Sequence, residues 1–114
     1  MQRRTIDKKQ LELKMEISSS LNTITVKGNI KALSHYEAIK REIENIVNNT
    51  PDTATIKILI LESISITSSI IGYLCKLVDE GLHLEIHVQN EGLHNLLDDL
   101  NLVPLLNVKK LSMH

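Results

Sequence analysis

Apolar and polar residues alternate from Leu11 onward: Leu11, Leu13, Met15 and Ile17 fall on one side, Glu12, Lys14, Glu16 and Ser18 on the other. A period of two predicts a half-buried strand. Ser19, Ser20, Leu21 and Asn22 break the pattern. Ile24 and Val26 resume it against Thr23, Thr25 and Lys27. Two such runs around a short polar break predict a hairpin, which Gly28 and Asn29 end. The period then changes. Ser34 followed by Glu37 reads as a capping box. Tyr36, Ile39, Ile43, Ile46 and Val47 behind it share one helical stripe, which Asn48, Asn49, Thr50 and Pro51 stop.

Thr55 to Leu61 reads TIKILIL, short, β-branched and almost continuously apolar. That is the pattern of a central strand covered on both faces. Lys57 is its exception, as a snorkelling side chain or one near the strand start. A polar loop is predicted over Glu62 to Ser69. Ile70, Ile71, Leu74, Leu77 and Val78 then have helical spacing, with Gly81 placed for a left-handed cap. Leu82, Leu84, Ile86 and Val88 alternate as a strand. Gln89 and Asn90 turn the chain, and Leu93, Leu96, Leu97 and Leu100 mark a third helix. Pro104 is read as closing it. Leu105, Leu106 and Val108 are left as a last short strand or a docked tail.

The order β-β-α-β-α-β-α, with a final strand open, predicts an α/β domain: four to five strands in a mixed sheet packed by three or four helices. Crossovers should be right-handed. Function in such sheets gathers in the loops beyond the carboxyl ends of the strands. The 114 residues fit one domain, read as residues 11–114 behind a charged arm, residues 1–10. An extra strand, a partner-binding arm and disorder all remain open for that arm.

Composition narrows the chemistry. Thirteen basic against fourteen acidic residues leave a net charge of -1, without the basic footprint of a nucleic-acid binder. Ile and Leu supply 33 residues, while there are two Tyr and no Phe or Trp. The core must be aliphatic, and stacking platforms for bases are nearly absent. No apolar run is long enough to cross a membrane, and the charged N-terminus lacks the apolar stretch of a secretory signal. With Cys75 alone, neither an internal disulfide nor a cysteine-rich zinc site is expected. A reducing cytoplasmic compartment is the expectation.

Candidate chemistry is sparse. His83, Glu85 and His87 share a strand face. Alternate strand residues lie ~7 Å apart, so they converge poorly on one ion, and no metal or other cofactor is expected. His35 and His94 read as surface residues and His114 as terminal. Cys75 reads as a small buried hydrophobe, and Asp98 and Asp99 as a solvated face. No complete nucleophile and base set can be named, so an enzyme is not expected. The segment Ile66-Thr67-Ser68-Ser69-Ile70-Ile71-Gly72 is different, because three hydroxyls stand together where a helix begins. Ser and Thr there cap free N–H groups. A phosphate there would sit beside the positive end of the helix dipole without forcing a refold. It would, however, block a partner packed on Ile70, Ile71 and the loop.

The run from Ile56 to Lys110 resembles a STAS domain, the fold of bacterial anti-sigma factor antagonists. The family pattern is an apolar strand, a short loop ending in Asp-Ser-Ser-Gly-Leu-Gly and then a helix, and the loop motif compares with Thr67 to Gly72. Gly81 to Ile86, Leu93 to Leu102 and Thr25 to Ile30 compare with its other parts. The resemblance implies that Ser68 is a phosphorylated serine, with Thr67 and Ser69 as secondary acceptors. It implies a non-enzymatic antagonist that switches partners. Those partners would be an anti-sigma factor acting as serine kinase, of the histidine-kinase-like ATPase type, and a PP2C-type phosphatase. Gly28, Asn29, Ile30 and Lys31 would border the serine loop in one binding surface with residues 66–72. The sequence departs at Thr67 (family Asp), Ile70 (Gly) and Ile71 (Leu), while Gly72 is kept. The loss of the Asp favours an alternative, a constitutive STAS binding subunit of a transporter or signalling complex. Monomer and homodimer are both compatible with the sequence.

Overall fold

The computed structural model describes residues 15–51 and 53–111. Leu11, Leu13, the arm 1–10 and His114 lie outside them. Five strands form one sheet in sequence order: β1 (Glu16–Ser20), β2 (Thr23–Lys27), β3 (Thr55–Leu61), β4 (His83–Val88) and β5 (Val108–Lys110). The helices are α1 (Leu33–Asn49), α2 (Ser68–Asp79), α3 (Glu91–Asp99) and the single turn α4 (Val103–Leu106). The α/β class and the mixed sheet are as the sequence predicts. β1 and β2 pair antiparallel, and β2 through β5 run parallel.

Each crossover returns the chain to the next position in the same direction. Right-handed crossovers that always step one way put every helix on the same face. Burial agrees: Ile24, Val26, Ile58, Ile86 and Val108 are buried on that face, under Ile39, Ile43, Leu74 and Leu97 of the helices. The opposite face carries Thr25, Lys57, Leu59, Glu85 and His87, all exposed or half-buried. The expectation that β3 is covered on both faces is therefore corrected. Its apolar run comes from its central place in the sheet order, and Lys57 is the exposed residue of the uncovered side. On that side His87 Nε2 lies 2.7 Å from Glu85 Oε1, and this bond holds the Glu85 carboxyl below its usual range.

Local sequence explains the helix ends. Gly81, at φ +96°, follows the Glu80 cap of α2. Its N–H donates to Val78 O, and the Leu82 N–H donates to Leu77 O, the paired bonds of a Schellman motif. Asn101, at φ +61°, does the same for α3, with bonds to Asp98 O and from Leu102 to Leu97 O.

Several boundaries differ from expectation. Ser19 and Ser20 belong to β1, because a two-residue turn of Leu21 and Asn22 is enough to reverse the chain. The cap of α1 is Ala32, not Ser34. Pro104 opens α4 instead of closing α3, since its missing N–H is free of cost in a first turn. Leu105 and Leu106 follow it in that turn, and only Val108 enters a strand. α2 begins two residues earlier than its apolar stripe, at Ser68.

α1 and α2 are bridged by the chain's only two aromatic residues. Tyr36 and Tyr73 meet edge to face at 6.2 Å and 86°. Lys40 Nζ lies 5.9 and 5.6 Å from the two ring centres, in range of a cation–π contact. Burial, then the charges of Glu44 and Glu80 and the Tyr36 phenol, push the Tyr73 phenol up to about 12. A folded value above the ordinary one means that this environment favours the neutral phenol. Its contribution is present below pH ~10 and is lost as pH rises toward 12. A Tyr36→Phe variant, which removes one of the lesser causes, should still show tyrosinate absorbance with a midpoint above the ordinary tyrosine value; a midpoint at that ordinary value would place Tyr73 in solvent.

Candidate functional site

The carboxyl edges of β2 and β3 carry two loops, residues 28–32 and 62–67, far apart in sequence and joined in space. The Ile30 N–H donates to Ser63 Oγ (3.1 Å), and Ser65 Oγ donates to Ile30 O (3.0 Å). The Ile64 N–H donates to Asn29 Oδ1 (2.9 Å), and the Gly28 N–H to Leu61 O (3.0 Å). Ser63 is the hub. It is fully buried, and its hydroxyl also donates to Ser65 O at 2.6 Å. β4 joins the edge through Gln89, whose N–H donates to Ile60 O and whose Oε1 accepts from the Glu62 N–H at 2.9 Å. Glu62 has φ +65°, a left-handed conformation uncommon outside glycine. Its carboxylate reaches Lys27 only at 4.0 Å.

His35 corrects a sequence expectation. It is fully buried, and its Nδ1 accepts the N–H groups of Lys31 (3.0 Å) and Ala32 (3.2 Å). Ala32 has no side chain with which to cap α1. The histidine does half of a capping box from inside the helix, holding the 28–32 loop in place. Ser34 Oγ is buried, with no hydrogen-bond partner among the described residues.

The third part of the edge is the start of α2. Thr67 Oγ1 accepts the Ile70 N–H at 3.2 Å, so Thr67 is the N-cap. Ser68 and Ser69 occupy the first two helical positions. Both are exposed, and neither hydroxyl is bonded among the described residues. The three hydroxyls therefore divide the work: one caps and two face solvent.

The proposed surface residues separate in the same way. Asn29, Lys31, Ser68, Ser69 and Gly72 are exposed, and Gly28, Ile66, Thr67 and Ile71 are half-buried. Ile30 and Ile70 are corrected: at 1% and 2% exposure they belong to the core, because each follows its loop into the helical layer. Two apolar side chains stand out where sequence reading placed less weight, Leu33 at 66% and Ile64 at 67% exposure. Ile64 lies in a run that looks like alternating polar loop, so its exposure carries no periodic signal. Ser63 and Gln89 were equally unreadable, because their partners lie roughly thirty residues away.

Elsewhere, Cys75 is half-buried rather than buried and borders a groove of about 540 Å³ with Gly72 and Leu105. No group of three or more His, Cys, Asp or Glu suited to a metal ion occurs among the described residues. No helix among them is long and apolar enough to cross a membrane. No protein-family model, curated protein or solved structure matches the chain.

Proposed function

We propose that this edge is a protein-binding surface gated by phosphorylation of Ser68, in a partner-switching module of the anti-sigma factor antagonist kind. The observation that carries the reading is the exposed, unbonded Ser68 hydroxyl at the first position of α2, beside loops already held rigid. A phosphate there gains from the helix dipole and from nearby free N–H groups. The fold has no reason to change. A partner seated over Ile64, Leu33 and Ser68 would meet a desolvated dianion, and binding would fail. The expected partners are a histidine-kinase-like ATPase acting as serine kinase and a PP2C-type phosphatase, with Thr67 and Ser69 as secondary acceptors.

Thr67 supports a second reading, a constitutive subunit of a transporter or signalling complex. Its hydroxyl is occupied as the cap, and it brings none of the negative charge that the family's Asp presents to a kinase.

The two readings diverge in one experiment. Protein captured from its own cells is mapped for phosphate, and the captured partner is titrated with Ser68→Ala and Ser68→Asp. The switch predicts phosphate at Ser68, wild-type affinity for Ser68→Ala and an affinity lowered at least about tenfold for Ser68→Asp. Equal binding by both variants, with Ser68 unmodified, rules out the switch and leaves the fixed subunit.

A further inference from the structure

The two edges of the sheet are built differently. β5 is three residues long and ends in exposed Lys109 and Lys110, the usual protection against strand addition. β1 has five residues, Glu16-Ile17-Ser18-Ser19-Ser20, with neither lysine nor proline. It is outermost in the sheet order, and no described strand pairs with its outer side.

The ladder shows which groups face outward. Asn22 O accepts from Lys57 and the Gly28 N–H donates to Leu61, so even-numbered residues of β2 bond toward β3. Alternation turns Thr23, Thr25 and Lys27 toward β1, where they oppose Ser20, Ser18 and Glu16. The backbone groups of Ile17 and Ser19 are left pointing away from the sheet. These two residues are spaced to pair with each other in an antiparallel copy of the same strand. Ile17 would oppose the copy's Ser19, and Ser19 its Ile17, with Ser18 on the two-fold axis. In that register Glu16, the one charge of β1, opposes a serine and not its own copy.

We propose that β1 is a self-association edge, and that two copies of this chain join β1 to β1 through an antiparallel seam with Ser18 on the axis, making one continuous ten-stranded mixed sheet. The interface is isologous and closes, as a two-fold contact must. The proposal does not depend on the reading of Ser68.

Ser18 tests it, because its side chain lies on the uncovered face and the core does not use it. A non-hydrogen-bonded antiparallel pair holds its Cα atoms about 4.5 Å apart, within disulfide range. Under mild oxidation the full-length Ser18→Cys chain should give a linked dimer that wild type, with only Cys75, does not. In sedimentation equilibrium, wild type should dimerise. Ser18→Lys and Ser18→Glu should each weaken the dimer at least about tenfold, since like charges would oppose across the axis. An equimolar mixture of the two should recover it. A wild-type chain that stays monomeric up to about 1 mM overturns the proposal, and so does a dimer that survives either charged variant alone.

Discussion

Leu74→Ala is expected to lower the unfolding free energy by about 3 kcal/mol, with the denaturant slope unchanged. Leu74 is 1% exposed, one turn beyond Ile70 on the face of α2 that meets the sheet. Truncation removes buried methyl groups and leaves a cavity whose aliphatic walls cannot all move in. For a domain of this size the melting midpoint should fall by roughly 10 °C. Ser68→Ala, six residues earlier and exposed, should stay within about 0.5 kcal/mol of wild type. If Leu74→Ala also stays within that margin, α2 is not seated on the sheet as described. The contrast matters for function: the helix carrying Ser68 is fixed from below by Leu74 and Leu77, while Ser68 at its tip is exposed.

The core was legible in the sequence because a chain with 33 Ile and Leu and two aromatics has few other ways to bury surface. Period two located the strands and period 3.6 the helices. Gly81 marked a helix end because a positive φ is cheapest for glycine. What could not be read was set by contacts between distant segments. His35 looks like a surface residue in a helix that opens with polar groups. It is buried because Ala32 provides no cap and the imidazole must supply one. β3 reads as covered twice, since Leu59 and Leu61 are apolar. Sequence periodicity cannot reveal that all three crossovers step in one direction and leave one face without a helix among the described residues. The hydroxyl cluster at 67–69 was visible, but the division of roles within it was not. One Oγ reaching the Ile70 N–H makes Thr67 the cap and frees Ser68.

The largest effect expected within the site itself comes from Ser63→Ala. Ser63 Oγ is the acceptor for the Ile30 N–H and the donor to Ser65 O, and both residues lie in loops that would form the binding surface. Alanine fits the space and offers neither bond. The Ile30 N–H is buried and would be orphaned, which costs more than the net worth of a hydrogen bond because water cannot reach it. With Ser65 O also losing a partner, the loss should be about 2–3 kcal/mol. The sheet should not feel it. Amide exchange is therefore the sharper measurement: protection should fall at Ile30 and Ile64 and stay unchanged at Ile58 and Ile86. Asn29 and Ser65 keep their own cross-loop bonds, so the loops should loosen without separating. Uniform loss of protection across the sheet would show that Ser63 supports the whole fold. No change at Ile30 would show that the bond contributes nothing. Only the localised pattern makes Ser63 the residue that presets the surface around Ser68, and in that case the proposed phosphate at Ser68 would act on loops that Ser63 has already fixed.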